Sequence, residues 1–284
     1  ISGWFLLVAV LQATLQACDV VIVGIVLGVR PAAVYAVGAK LAKAANQSMD
    51  SLAIVFFPYA SAHSANDDPE GLKDIIIDGV RVTLLVGALL ALLLTTLAGP
   101  GIRAWVGPGY DTSAHVLVIL ALAVGLASPV RSLSQVLQGS GHLKVVCAVS
   151  SVEVAVNFIL SVTLAHVIGP IGVAVGTLGG VLLVRLPGVL VIGSWAVRLR
   201  MSSLVRRAIV PHILPATACL AVLLIGRTLT GYSFVGSVVN GLAGIATYLG
   251  LYYAYGATPG ERHRAAGAVA KLRTGLRLRA ADHS

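Results

Sequence analysis

Apolar residues in this chain come in long runs, not in single stripes. Runs of about 20 mostly apolar residues, enough to cross a bilayer as helices, fall at 4–28, 33–60, 79–98, 115–138, 145–168, 171–197, 208–226 and 234–256. Short polar breaks separate them, the tightest being "GPIG" at 169–172. Only 61–78 and 99–114 are longer, and 257–284 forms a polar, basic tail. The pattern predicts an all-α polytopic membrane protein with about eight transmembrane helices.

Composition agrees. Charged residues make up 11% of the chain and hydrophobic ones 57%, with a mean hydropathy of +0.93, whereas soluble domains carry about 25% charged residues. The chain opens at Ile1 without an initiator Met or a charged leader, and is apolar from Trp4 onward. It therefore reads as a piece of a longer protein.

The distribution of positive charge sets an expected orientation. The breaks after the second, fourth and sixth runs, with the tail, hold 13 Lys and Arg, including Arg81, Lys144 and Arg207. The other breaks hold only Arg30, Arg103 and Arg227. The positive-inside rule places both termini in the cytoplasm. The net charge of +9 is largely this bias, which argues for membrane lipids and against nucleic acid as partners. Within 61–78, Asp67 or Asp68 is expected to cap a short amphipathic helix lying at the cytoplasmic interface, with Pro69 in its first turn. The tail segment 265–281 is either a similar helix, drawn to anionic head groups, or a disordered basic tail.

Other residues fit a membrane setting. Trp4, Trp105, Trp195 and the cluster Tyr252, Tyr253 and Tyr255 fall near run ends, as interfacial aromatics do. Gly172, Gly176 and Gly180 recur every four residues, allowing a close helix contact. Pro58, Pro129, Pro187, Pro211 and Pro215 are candidate kinks. The cysteines (Cys18, Cys147 and Cys219) and the seven scattered histidines show no metal-ligand spacing. There is no Walker loop, HExxH or GxSxG, so no enzyme activity is expected. The "NQS" sequon at Asn46 lies inside a run.

Charges inside the runs need a reason. Asp19 interrupts "LQACDVVIVGIVLG" on the same side as Gln12 and Gln16, and a carboxylate there costs about 2.5–3.5 kcal/mol on insertion scales. With Lys40, Lys43, Asp50, Arg131, Glu153 and Arg185 it makes seven ionisable residues in the first six runs, against His212 alone in the last two. Lys40, Lys43, Gln47 and Asp50 share one helical face, as do Ser128, Arg131, Gln135 and Gln138. Six helices enclosing a wet, cationic interior, with two peripheral helices, account for this asymmetry. Internal ion pairing of the four cations with the three carboxylates is the competing explanation, and snorkelling also suits Arg131.

Three stretches, "CDVVIVGIVLGVRPAAVYAVGAKLAK" (18–43), "WVGPGYDTSAHVLVIL" (105–120) and "LQGSGHLKVVCAVSSVEVAVNFILSVTLAHVIGPIGVAVGT" (137–177), together carry a family resemblance. In order and spacing the chain resembles the polysaccharide (lipid-linked oligosaccharide) flippases of the multidrug/oligosaccharidyl-lipid/polysaccharide exporter superfamily. The resemblance implies a two-lobed transporter. Residues 1–200 would be its second six-helix lobe, 201–256 a peripheral transmembrane helix pair and 257–284 a basic cytoplasmic tail, with the N-terminal lobe lying outside this chain. It further implies alternating access in the cytoplasmic membrane, moving a polyprenyl-diphosphate-linked glycan or cell-wall lipid precursor outward. Lys40, Lys43, Arg131 and Arg185 would then face the diphosphate. A drug/cation antiporter of the same superfamily and a non-transporting envelope-assembly scaffold are the alternatives.

The same resemblance implies an ion site. Lipid II flippases of the superfamily hold sodium with an Asp on the first helix of the second lobe, an acid/amide pair on the fifth, and a Thr with a carbonyl on the sixth. Those positions match Asp19, Glu153, Asn157, Thr177 and the Val173 carbonyl. This chain departs in placing Glu before Asn. Sodium and proton coupling both remain open, as does simple pairing of Asp19 with Lys40, Lys43 or Arg185.

Overall fold

A computed structural model describes residues 2–230 and 234–262, and among these every regular element is helical. The helices are α1 (Ser2–Leu27), α2 (Val29–Ala53), α3 (Phe56–Ala65), α4 (Pro69–Val106), α5 (Asp111–Gly139), α6 (Leu143–Ile168), α7 (Pro170–Ala196), α8 (Met201–Leu229) and α9 (Phe234–Gly256). Six of them, α4 to α9, are long and apolar enough to cross a membrane, and α1, bent by 42°, makes a seventh. The run at 33–60 differs from the others. It breaks at Ile54–Val55 into α2 and α3, where Pro58 has no N–H to offer the Ile54 carbonyl and sits in the first turn of α3. α2 carries Arg30, Lys40, Lys43 and Asp50, so its polar face needs lining work inside the bundle.

The longer breaks of the sequence are mostly helix. Asp68 caps as expected, its Oδ1 accepting from the Gly71 N–H at 2.9 Å. The helix it starts is not a separate interfacial segment, however. It runs unbroken for 38 residues to Val106, because no proline falls between Pro69 in its first turn and Pro100, which the helix absorbs near its far end. The 99–114 break shrinks likewise to the turn between Val106 and Asp111, where Gly107 and Gly109 take φ values of 93° and 97°. The tail segment 265–281 lies outside the described residues.

α5 is the central helix, packed against α2, α3, α4 and α7. α6 and α7 form a tight hairpin turned at Gly169. The glycine repeat makes that hairpin possible. A Cβ on Gly172 would meet the Leu164 backbone, one on Gly176 would meet Ser161, and one on Gly180 would lie 3.3 Å from the Asn157 Cβ. Without a strong hydrophobic drive between helices in lipid, such close backbone approach is what holds them. Two apolar layers result. One gathers Val8, Ile76, Leu133, Leu137, Val149 and Val189. The other gathers Val23, Tyr35, Ile102, Leu117, Ala165 and Val173. On α1 and α6 the charged positions Asp19 and Glu153 fall between them, while Arg131 and Arg185 stand at the edge of the first, flanked by Val130 and Leu133 and by Val184 and Leu186.

α8 and α9 pack on each other and on α4. Their anchor at one end is Arg81, expected as a loop cation but buried inside α4. Its guanidinium donates to Glu261 Oε1 (3.0 Å) and Oε2 (2.7 Å), to the Arg207 carbonyl (2.6 Å), to the Gly256 carbonyl (2.6 Å) and to Tyr252 Oη (3.1 Å). Tyr252 is thus a buried clamp residue, while Tyr253 and Tyr255 are exposed like the interfacial tryptophans.

Removing Arg81 should therefore loosen the helix pair. Arg81→Met is expected to cost about 3 kcal/mol, as breaking a buried, hydrogen-bonded pair does, read as a drop in the thermal midpoint in detergent. Burial raises the Glu261 carboxyl, but Arg81 and the Thr258 N–H outweigh it and hold the pKa at about 2, below the usual 4.5. A depressed carboxylate stabilises above its unfolded pKa and loses that contribution as it protonates. The stability gap between wild type and Glu261→Gln should be full at neutral pH and close as pH falls from 4.5 towards 2.

Candidate functional site: a charged cleft between two apolar layers

The middle of the bundle holds two adjoining cavities. The first, of about 390 Å³, is lined by Gln12, Asn46, Asp50, Arg131, Glu153 and Arg185 among others. The second, of about 440 Å³, is lined by Asp19, Tyr35, Lys40 and Lys43. Leu15, Asn46, Leu120 and Thr177 border both, so the two form one cleft. All four expected cations line it. The Gln16 side chain lies outside the described residues.

The charges are arranged in pairs. Arg131, buried on α5, donates through Nη1 to Asp50 and through Nη2 to Asn46, both on α2. Its Nε has no partner. Arg185 on α7 lies 3.3 Å from Glu153 Oε2 on α6, yet that oxygen makes no aligned hydrogen bond. The first cavity thus carries two guanidiniums and two carboxylates, closer to neutral than to cationic. Lys40 lies at the rim, 5.6 Å from the Trp105 ring centroid, and both lysines are exposed. Gln47, expected on the same face, does not line either cavity. Asn46, the residue of the sequon, is held inside the bundle by Arg131.

Asp19 is compensated differently. Its Oδ2 accepts from Tyr35 Oη at 3.0 Å and from Thr177 Oγ1 at 2.8 Å, and among the described residues it forms no ion pair. Simple pairing with Lys40, Lys43 or Arg185 is therefore not what the structure shows. Two hydroxyl donors do the work, while Oδ1 is buried without a partner. Thr177 Oγ1 also lies 3.2 Å from the Val173 carbonyl. Asp19, Thr177 and Val173 thus converge, with Glu153 and Asn157 buried on the adjoining α6. Among the described residues no three His, Cys, Asp or Glu side chains gather as a metal cluster, so a cation here would depend on one carboxylate, hydroxyl and carbonyl oxygens.

Tyr35 went unnoticed in the sequence. The available signal was its helical spacing with Gly38, Ala42, Ala45 and Met49, the face of α2 that is buried. A lone tyrosine on a small-residue face points its hydroxyl at a partner across the interface.

No family model matches the chain. An uncharacterized membrane protein of Bacillus subtilis (strain 168), EpsK, is 32% identical over 115 residues, which are 40% of this chain and 23% of that protein. Among solved structures, the lipid II flippase MurJ in an inward closed conformation superposes with a TM-score of 0.65 at 16% identity. That match covers 84% of this chain and 51% of MurJ. The chain shares the fold of about half a flippase, and it spans well under two thirds of either protein.

The Asp19 contacts yield a stability prediction. Tyr35→Phe and Thr177→Val each remove a donor to a buried carboxylate and should cost about 1.5–3 kcal/mol in unfolding of the purified protein. Asp19→Asn should cost less than either, because its amide oxygen still accepts from both hydroxyls.

Proposed function

We propose that this chain is one lobe of an alternating-access flippase that moves a lipid-linked, diphosphate-bearing precursor across the cytoplasmic membrane. The observation that carries this reading is the convergence of Arg131 and Arg185 on one cavity at mid-bundle, each opposed by a single carboxylate. Intramembrane charges are costly and mark substrate or ion paths. A structural role alone would favour fully aligned pairs, whereas Arg185 and Glu153 are near each other without alignment. An entering diphosphate would take Arg185 in exchange for Glu153, and Lys40 and Lys43 would receive it at the rim. The shared fold with MurJ supports a flippase and leaves the glycan open.

Ion coupling belongs to the same proposal. Asp19, Thr177 and the Val173 carbonyl would hold sodium or, with a proton on Asp19, exchange it, and Asn157 would complete the set. Glu153 has a second role available: protonated, it would release Arg185 to the substrate. On this reading both termini of the lobe lie in the cytoplasm, with a further lobe completing the transport path.

Export assays in the intact transporter test it. Arg185→Ala should abolish export at normal expression, and Arg185→Lys should keep part of it, since an ammonium still attracts phosphate without the bidentate fork. Normal export by Arg185→Ala would sink the substrate assignment. Asp19→Asn and Thr177→Val should lose ion dependence; if both retain it, no coupling site exists there. A cysteine at Ser203 should resist impermeant thiol reagents applied to intact cells.

A further inference from the structure

A third cavity, of about 490 Å³, lies outside the central cleft, where α4 and α5 meet the α8–α9 pair. None of its lining residues borders the central cavities, and the transport reading gives it no role. Its wall carries Arg103, Asp111, His115 and Arg227, together with Ser237 and Asn240, which are buried polar residues. Arg103 holds Asp111 at 2.7 Å, with both side chains more than half exposed.

Depth decides what such a cavity meets. Arg81 and Arg103 lie roughly 33 Å apart along α4 at about 1.5 Å per residue, close to the roughly 30 Å hydrocarbon thickness. Arg81 clamps one end of the helix pair, so the cavity sits at the opposite head-group level. Beside it, an apolar groove of about 320 Å³ between α8 and α9, lined by Val222, Ile225, Val239 and Ala243, shares Asn240 with the polar pocket. A polar pocket with two guanidiniums and one carboxylate, adjoining an apolar groove through Asn240, matches an amphiphile with an anionic head.

We infer that this pocket binds an anionic glycerophospholipid, its phosphate between Arg103 and Arg227 and one acyl chain along the α8–α9 groove. Arg103 and Arg227 supply charge, Ser237 and Asn240 lie deeper as hydrogen-bonding groups, and Asp111 weakens the site by competing for Arg103. The lipid would bridge the lobe to its peripheral pair at the end where Arg81 cannot reach. This inference stands apart from the transport reading and survives or fails without it.

Native mass spectrometry of the purified protein in detergent tests it, with phosphatidylglycerol, phosphatidylcholine and soluble glycerol 3-phosphate as probes. Phosphatidylglycerol should bind several-fold more tightly than phosphatidylcholine, and glycerol 3-phosphate should not compete. Arg103→Gln and Arg227→Gln should each weaken phosphatidylglycerol roughly fivefold, the effect of one basic side chain on an anionic lipid. Asp111→Asn should strengthen it, a gain that a misfolded variant cannot mimic. Equal binding of the two lipids, unchanged affinity in both arginine variants, or displacement by glycerol 3-phosphate would overturn the proposal.

Discussion

Arg131 is the constraint around which the bundle is built. A guanidinium buried on a central helix cannot shed its charge and must be answered by fixed acceptors. Asp50 and Asn46 answer it from α2, which forces that polar helix against α5. With α2 committed there, Tyr35, four turns away, is brought over Asp19. One buried cation thus fixes the position of α2 between α1 and α5, and with it both cavities.

On the transport reading the cleft must change shape, and the apolar layers on either side of it bear on how. Each layer is packed from side chains of α1, α5, α6 and α7, whereas the band between them is held by a few directional contacts. Pro129 in α5 and Pro187 in α7 lie close to that band. α7 passes through two stretches of wider, π-type turns, Val181–Arg185 and Gly188–Gly193, on either side of Pro187. Missing or shifted backbone bonds make such stretches the natural points of bending. Arg185 ends the first of them, so bending there changes its distance from Glu153. On the transport reading, substrate charge and helix shape would be linked through that side chain.

The helical membrane class, the glycine-mediated hairpin and the cations of the cleft were legible because each rests on local periodicity. Lys40, Lys43, Arg131 and Arg185 stand out against apolar runs whatever their partners. Partners themselves were not legible. Asp50 and Glu153 neutralise the arginines through contacts that join α2 to α5 and α6 to α7, and periodicity carries no information between helices. Arg81 shows the same limit more sharply. Beside a cytoplasmic break it counts as a topogenic charge, and only the fold reveals that Glu261, far along the chain, closes on it. The extent of α4 was hidden for another reason: 61–78 is polar, and polarity marks exposure to water without excluding helix.

The peripheral pair raises a last structural question, since α8 and α9 touch the lobe chiefly through α4. Packing alone gives little purchase in lipid, where apolar surface gains nothing by leaving its surroundings. Polar contacts within the pair are strong: Asn240 Nδ2 donates to the Leu223 carbonyl at 2.9 Å, and His212 Nδ1 lies 2.9 Å from Tyr248 Oη. Those tie α8 to α9, while their joint attachment to α4 combines the Arg81 clamp at one end with the packing of Cys219, Leu223 and Tyr248 on Leu85, Leu89 and Leu92. On the lipid proposal, the pair would be held at one end of α4 by the Arg81 clamp and bridged to it at the other by lipid.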